Sequence, residues 1–398
     1  MAKKFLILIT LLVFFLASSG TQAQEIALSD SAEVSILTNS PWSGAIYGLF
    51  GHASIRVKDP AKHIDLVFNY GMFSFNKPNF IYHFAKGETD YMVAAMSFPE
   101  YLLEYQMKGQ EVDEQVIRLT QKEKQQVWNA LCINALPENR EYRYNFFFDN
   151  CATRLFVILE KNIDGKILLA PSHSSLSFRN MLNEFLDGHV WEQFGINLVV
   201  GSGADTPVTA REKLFLPSYL YEALNNAQIQ HTDGDRQSLV SSSAILNPKG
   251  DNTFSKPFFT PWLTGILLFA IALLVSFMEW KNGGAFFISR LFDTLIFAVA
   301  GLSGIVLTFL MFFSVHPCMS PNWNYLWLQP LHLVASVLFF VKSKLRSIYY
   351  YHFINFAVTT LFLVCWKLIP QELLSAFIPF VLTLWLRSGA YAFIGVRK

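Results

Sequence analysis

Cysteine is scarce: only Cys132, Cys151, Cys318 and Cys365 occur in 398 residues, too few and too scattered for a disulfide framework. Charge of one sign is missing as well. The formal net charge of +1 removes any general electrostatic case for nucleic acid as a partner. No set of His, Cys, Asp or Glu follows metal-ligand spacing, so neither a metal nor another cofactor is expected. No internal repeat is visible, and no cysteine stands where the N-terminal apolar run ends, so the chain is not expected to be a lipoprotein itself.

Long uncharged runs are plentiful after Phe258 and rare before it. Lys3 and Lys4, an apolar run from Phe5 to Ala17 and the string SSGTQAQ have the layout of a secretory signal peptide over residues 1–23, with cleavage after Ala23. Residues 24–227 are then an extracytoplasmic domain, 228–257 a polar linker, and 258–398 a bundle of about five transmembrane helices. The spans fall near 258–278, 291–313, 325–341, 349–368 and 371–392, each close to the ~20 residues that cross a bilayer. Lys281 and Arg290, then Lys342, Lys344 and Arg346, then Arg397 and Lys398 mark one side as cytoplasmic. The Lys- and Arg-free stretch from Ser314 to Asn324 joins the N-terminal domain on the other side. A multi-pass protein of the inner (cytoplasmic) membrane follows, with a periplasmic N-terminal domain and a cytoplasmic C-terminus.

Within the outer domain, GHASIRV, the polar turn KDPAKH and IDLVFNYG read as a β-hairpin. Around PNFIYHFAKG a short helix is expected, and YMVAAMSF reads as a strand. Thr120 caps an amphipathic helix through LTQKEKQQVWNALCINALPEN. Asp149 or Asn150 caps the next, where Leu155, Ile158 and Leu159 recur at helical spacing. Residues 170–224 read as helical pieces broken by the Gly-rich GINLVVGSGADTPVT.

Cys151 therefore occupies a first helical turn, where unpaired N–H groups and the helix dipole favour a thiolate. A free thiol at about pKa 8.5 needs such help, and usually a nearby His, to act as a nucleophile. His52 opens the strand GHASIRV and is the natural base, with Gly51 allowing close approach of another segment. A third group should hold the imidazole. Asp65, Asn69 and His63 share one face of the next strand; Asn69 or Asp65 is preferred, because His63 looks like turn material. Asn150, Arg154 and Tyr70, which surround these positions in sequence, are expected to contact substrate.

A His on one strand, a polar residue on the next and Asn-Cys at a helix start resemble the circularly permuted papain-like NlpC/P60 group, which includes lecithin:retinol acyltransferase. The matching residues are His52 and Asn150-Cys151; where those relatives carry Glu-His after the cysteine, this chain has Ala152-Thr153. A resemblance over almost the whole chain is to Lnb, the lipoprotein N-acyltransferase family of Bacteroidota. GHASIRV, DLVFNYGMFSF, YNFFFDNCATR, GSGADTPVTARE-LFLP, the C-terminal spans and HPCMSPNWNYLWLQPLHL carry it in order. It implies an α+β, permuted papain-like domain followed by an all-α membrane bundle. It also implies transfer of a fatty acyl chain from a membrane phospholipid, through a Cys151 thioester, to the α-amine of the lipidated N-terminal Cys of diacylated lipoproteins.

His316, Asn322 and Asn324 lie in the outer loop among Trp323 and Trp327, and are expected either to contact a headgroup or lipoprotein or to belong to an interfacial aromatic belt. His332, within a span, should face the bundle. Asp205 and Glu212 read as solvated caps, and His83, His173, His189 and His231 show no partner in the sequence. Two rival functions remain open: a phospholipase or peptidoglycan peptidase using the same dyad with water, and a non-enzymatic receptor or assembly factor with an inert Cys151.

Overall fold

The computed structural model describes residues 26–171, 175–231, 234–250, 256–340 and 346–393. The proposed signal peptide, His173, Lys342, Lys344, Arg397 and Lys398 lie outside them. Among the described residues, ten strands are formed by Glu33–Asn39 (β1), His52–Asp59 (β2), Ile64–Met72 (β3), Asp90–Ser97 (β4), Val112–Ile117 (β5), Glu141–Arg143 (β6), Lys166–Leu168 (β7), Gln228–Gln230 (β8), Arg236–Ser238 (β9) and Val240–Asn247 (β10). The described residues of the N-terminal domain form the α-helices Phe80–Lys86 (α1), Phe98–Met107 (α2), Gln121–Ala135 (α3), Cys151–Asn162 (α4), Phe178–Phe185 (α5), Val190–Val199 (α6) and Pro217–Asn226 (α7). The C-terminal domain adds Pro261–Asn282 (α8), Phe287–Phe312 (α9), Leu331–Leu338 (α10), Arg346–Val364 (α11) and Ile378–Phe393 (α12).

The expected hairpin forms as β2 and β3, paired antiparallel with Ile55 opposite Phe68 and Lys58 opposite Asp65. Asp59 closes its turn by accepting from the Ala61 N–H at 3.1 Å, and His63 takes the left-handed conformation there with φ 55°. Seven strands make one sheet in the order β10-β5-β1-β2-β3-β4-β6. Strand alternation divides its residues between two layers. Ala53, Ile55, Val57, Phe68 and Tyr70 point into a core shared with Trp128 and Leu131 of α3, Leu155 and Leu159 of α4, and Leu220 and Leu224 of α7. Val67 on the other face meets Tyr101 and Tyr105 of α2. His52, Asn69 and Asp65 therefore belong to the α2 side of the sheet.

Thr120 caps α3 as expected, in a reciprocal capping box with Glu123. At α4 the cap is Asn150, whose Oδ1 accepts the N–H groups of Ala152 and Thr153 at 3.0 Å each. Leu155, Phe156, Ile158 and Leu159 then bury the helix against the sheet. Cap and apolar stripe together fix where Cys151 stands.

Residues 228–257, expected as a linker, instead carry three strands. β7, β8 and β9 form a small sheet, and β10 adds to the edge of the main one beside β5. Most side chains of β10 are exposed, so its order comes from backbone pairing rather than from an apolar face.

Among the described residues, four helices are long and apolar enough to span a membrane, within α8, α9, α11 and the 375–393 segment. Among the described residues, the expected third span contributes the eight-residue α10 and the end of a 3-10 turn at Trp323–Leu326. It lies hard against α9: a Cβ on Gly301 would come within 2.3 Å of the Leu333 N, and one on Gly304 within 2.5 Å of the Gln329 carbonyl carbon. His332 does face the bundle, buried, taking the Tyr351 hydroxyl at Nδ1 and donating from Nε2 to the Trp327 carbonyl. Buried Arg387 of α12 ties three helices together, bonding Asp293 of α9 at 2.6 Å and Glu279 and Ser276 of α8 at 2.9 and 2.7 Å.

Candidate active site

Gly51 sets up the site by bringing β1 and β2 together. Its φ is +74°, and a Cβ there would lie 2.6 Å from the Asn39 carbonyl oxygen, a contact no side chain could make. The next residue, His52, donates from Nε2–H to Asn69 Oδ1 at 2.5 Å. Its other ring nitrogen, Nδ1, is left as an acceptor for the Cys151 thiol, which is within hydrogen-bonding reach of the ring. The Tyr105 ring lies nearly parallel to the imidazole, 11° apart with centroids at 6.5 Å. Gly71 borders the dyad: a Cβ on it would stand 3.7 Å from Cys151 Cβ and 3.8 Å from His52 Cε1.

The electrostatics favour a charged pair. Burial pushes the Cys151 thiol up, but His52 and hydrogen bonds from the Ala53 and Ala152 N–H groups outweigh it, and the net shift is downward. For His52, burial acts to lower the pKa, and the Cys151 charge, its hydrogen bond, Asn69 and Glu104 together raise it. Thiolate and imidazolium thus stabilise each other. Cys132 shows the contrast: half-buried with no such neighbours, its thiol is pushed up by burial alone.

Asn69, of the two preferred third residues, meets His52. Asp65 does not. It pairs with Lys58 far along the hairpin and is bound to Arg56, Nε to Oδ1 and Nη2 to Oδ2 at 2.7 Å each. Arg56 is buried, reaches Glu114 at 3.0 Å and lies over the Phe98 ring, so Asp65 balances an internal cation instead of orienting a base.

The three residues expected to contact substrate around the site each have partners within the protein. Asn150 is buried; besides capping α4 it donates from Nδ2 to the Phe146 and Phe215 carbonyls at 2.8 and 2.7 Å. Arg154 binds Asp149 at 2.7 Å and covers the Tyr142 ring. Tyr70 is in the core, its hydroxyl accepting from Asn134 at 2.9 Å.

The outer-loop residues join the two domains. Asn322 Nδ2 donates to the Leu198 and Val199 carbonyls at 2.9 and 3.0 Å, and Asn324 Nδ2 to Leu198 at 3.2 Å. They satisfy carbonyls that α6 leaves open at its end. His316 Nε2–H donates to the Phe84 carbonyl of α1 at 2.7 Å. Arg179, which the sequence did not single out, is buried here; it bonds Asp205 at 2.5 Å and the Val200 and Gly201 carbonyls at 2.9 and 2.8 Å. Asp205 is therefore half of an ion pair and not a solvated cap, whereas Glu212 does cap, accepting the Thr209 N–H at 2.8 Å. His189 is bonded to Ser43, and His231 donates from Nδ1 to the Asp164 carbonyl at 3.1 Å. Among the described residues no group of three or more His, Cys, Asp or Glu is placed to hold a metal ion.

Gly71, Tyr105 and the Ala53 N–H were also missed. Gly71 had a signal in the NYG that ends β3, and Tyr105 in its helical spacing from Tyr101; the Ala53 amide had none.

No curated protein and no solved structure matches the chain. Two family models do. Residues 21–184 match the Lnb N-terminal periplasmic domain, and residues 253–398 match the Lnb transmembrane domain. Both parts of one family's architecture are present in order, and the chain belongs to the Lnb family, as a multi-pass membrane protein with a periplasmic N-terminal domain.

Proposed function

We propose that the protein is a thiol-dependent lipoprotein N-acyltransferase of the inner membrane, with its C-terminus in the cytoplasm. The N-terminal domain is read as a permuted papain-like fold in which Cys151 is the nucleophile, His52 the base and Asn69 the orienting amide. The observation that carries the reading is the Asn69–His52–Cys151 array, partly open at His52 and with a lowered thiol, in a domain fastened to a membrane bundle.

In the first step the Cys151 thiolate attacks the carbonyl carbon of a phospholipid acyl ester. A C–S bond forms as the C–O bond to glycerol breaks, and the imidazolium of His52 gives its proton to the departing alkoxide. The products are a Cys151 thioester and a lysophospholipid. In the second step the α-amine of a diacylated lipoprotein's N-terminal cysteine attacks the thioester carbonyl, its proton passes to His52, and the thiolate leaves. An amide results. Ala152 and Thr153 N–H groups are taken by Asn150, which leaves the Cys151 N–H as the first-turn donor for the developing oxyanion.

The test is the intermediate. Purified protein given phospholipid and no acceptor should gain the mass of a fatty acid minus water on Cys151, released by neutral hydroxylamine. A diacylated lipopeptide should discharge it to a triacylated product, and Cys151→Ser should form no thioester. Discharge by water alone would identify a phospholipase, and no adduct under any condition would leave a receptor.

A further inference from the structure

An apolar ledge leads from the flank of the bundle to the dyad. α1 buries none of its residues, and its neighbourhood presents Ile81, Phe75, Tyr82 and Phe84 at 82, 65, 53 and 50% exposure. That would be unfavourable beside water. The helix is, however, set against α9: the Tyr82 and Phe309 rings lie 6.1 Å apart, and the Val315 N–H donates to the Lys86 carbonyl at 2.8 Å. Gly87 permits this approach, since a Cβ there would be 3.0 Å from the His316 N. Phe309 sits three residues inside the end of α9, about 4.5 Å along the helix axis at 1.5 Å per residue. α1 therefore lies at the level where the apolar span ends. Phe312, Phe313 and Val315 beside it are exposed too, so the surface is continuous with the lipid-facing side of α9.

From α1 the aromatic rings run towards the chemistry. Phe84 stacks on Phe80 and Phe80 on Phe73, with centroids 5.9 Å apart in each case, and Phe75 meets Phe73 at 4.8 Å. Phe73 is two residues beyond Gly71, which borders Cys151 and His52.

We infer that the row Phe84–Phe80–Phe73, edged by Ile81 and Phe75, is the binding site for an acyl chain of the donor phospholipid. It would hold the chain at the bilayer edge while the ester reaches Cys151. The delivery role rests on the acyltransferase reading; the lipid site does not. Apolar rings suit this occupant because a chain moving from bilayer to ledge remains out of water throughout.

The full-length protein in phosphatidylethanolamine vesicles, with alkyne-tagged acyl chains, tests it. A photocrosslinking phenylalanine at Ile81 or at Phe75 should capture the tagged phospholipid; one at Ala61, in the turn at the far end of the hairpin, should not. Equal labelling at all three sites, or none at Ile81 and Phe75, overturns the site. Capture of a tagged diacyl lipopeptide in preference to phospholipid overturns the donor assignment. The paired changes Ile81→Gln and Phe75→Gln should lower the ratio of Cys151 acylation by long-chain phospholipid over a water-soluble short-chain ester by roughly tenfold or more, the scale of lost apolar contacts in a pocket. An unchanged ratio overturns the delivery role. If wild-type Cys151 is acylated by neither ester, the acyltransferase reading falls, and crosslinking still decides the lipid site.

Discussion

Asn69 receives the Nε2–H of His52 on its side-chain oxygen at 2.5 Å, and so holds the neutral ring in the tautomer that leaves Nδ1 free to take a proton. Asn69→Ala removes that selection while leaving the proposed base, His52, and the proposed nucleophile, Cys151, in place. A loss of roughly 10²-fold in kcat is expected, at the low end of what positioned acid–base groups contribute. The positioning role predicts that the pH dependence shifts with the rate and that Asn69→Gln recovers part of both. A lower rate on an unaltered pH profile would leave Asn69 a packing residue.

The pH dependence of Cys151 alkylation follows from the paired charges. The thiol lies below the ordinary range of a free cysteine, so reaction with iodoacetamide should appear as pH rises through that lowered value and persist to higher pH. His52→Ala removes the two strongest influences that lower it, while burial still acts upward, so the inflection should move up. An inflection that stays in place would assign the low thiol to the Ala53 and Ala152 amides instead.

Gly71→Ala should separate access from chemistry. At φ +93° an alanine is strained by about 1–3 kcal/mol, which denaturant titration would register. The added methyl group stands beside both Cys151 and His52, so labelling of Cys151 by a bulky maleimide should fall more than labelling by iodoacetamide.

Arg179→Met would remove the cation paired with Asp205 and one hydrogen bond from each of the Val200 and Gly201 carbonyls at the junction of the domains. A loss of about 3–5 kcal/mol is expected for breaking a buried pair on one side. Limited proteolysis should show new cleavage near 200–205, and thermal unfolding in detergent should separate into two transitions.

Local rules made much of this legible. Thr120 with Glu123, and Asn150 before an apolar stripe, announce their helices because a cap is a short-range interaction. The choice between Asn69 and Asp65 needed register as well as parity. With Ile55 opposite Phe68, continuing the pairing towards His52 leads to the Gly71 end of β3, so only Asn69 is close by. Asn322, Asn324 and His316 read as exposed polar groups because the carbonyls they bind belong to segments more than a hundred residues away. Strand β10 was hidden for a related reason: a strand held by its backbone leaves no alternation of side chains to detect.

That strand also sets an order of events during export. β5 gains its outer neighbour only when residues 240–247 have left the translocation machinery, and these come just ahead of Pro261, where the apolar helix α8 begins. The sheet is thus completed at about the moment the chain stops being threaded and starts being released sideways into lipid. A chain ending before Val240 would emerge with a bare, unpaired margin on β5. Completion of the folded domain is timed by arrival at the membrane.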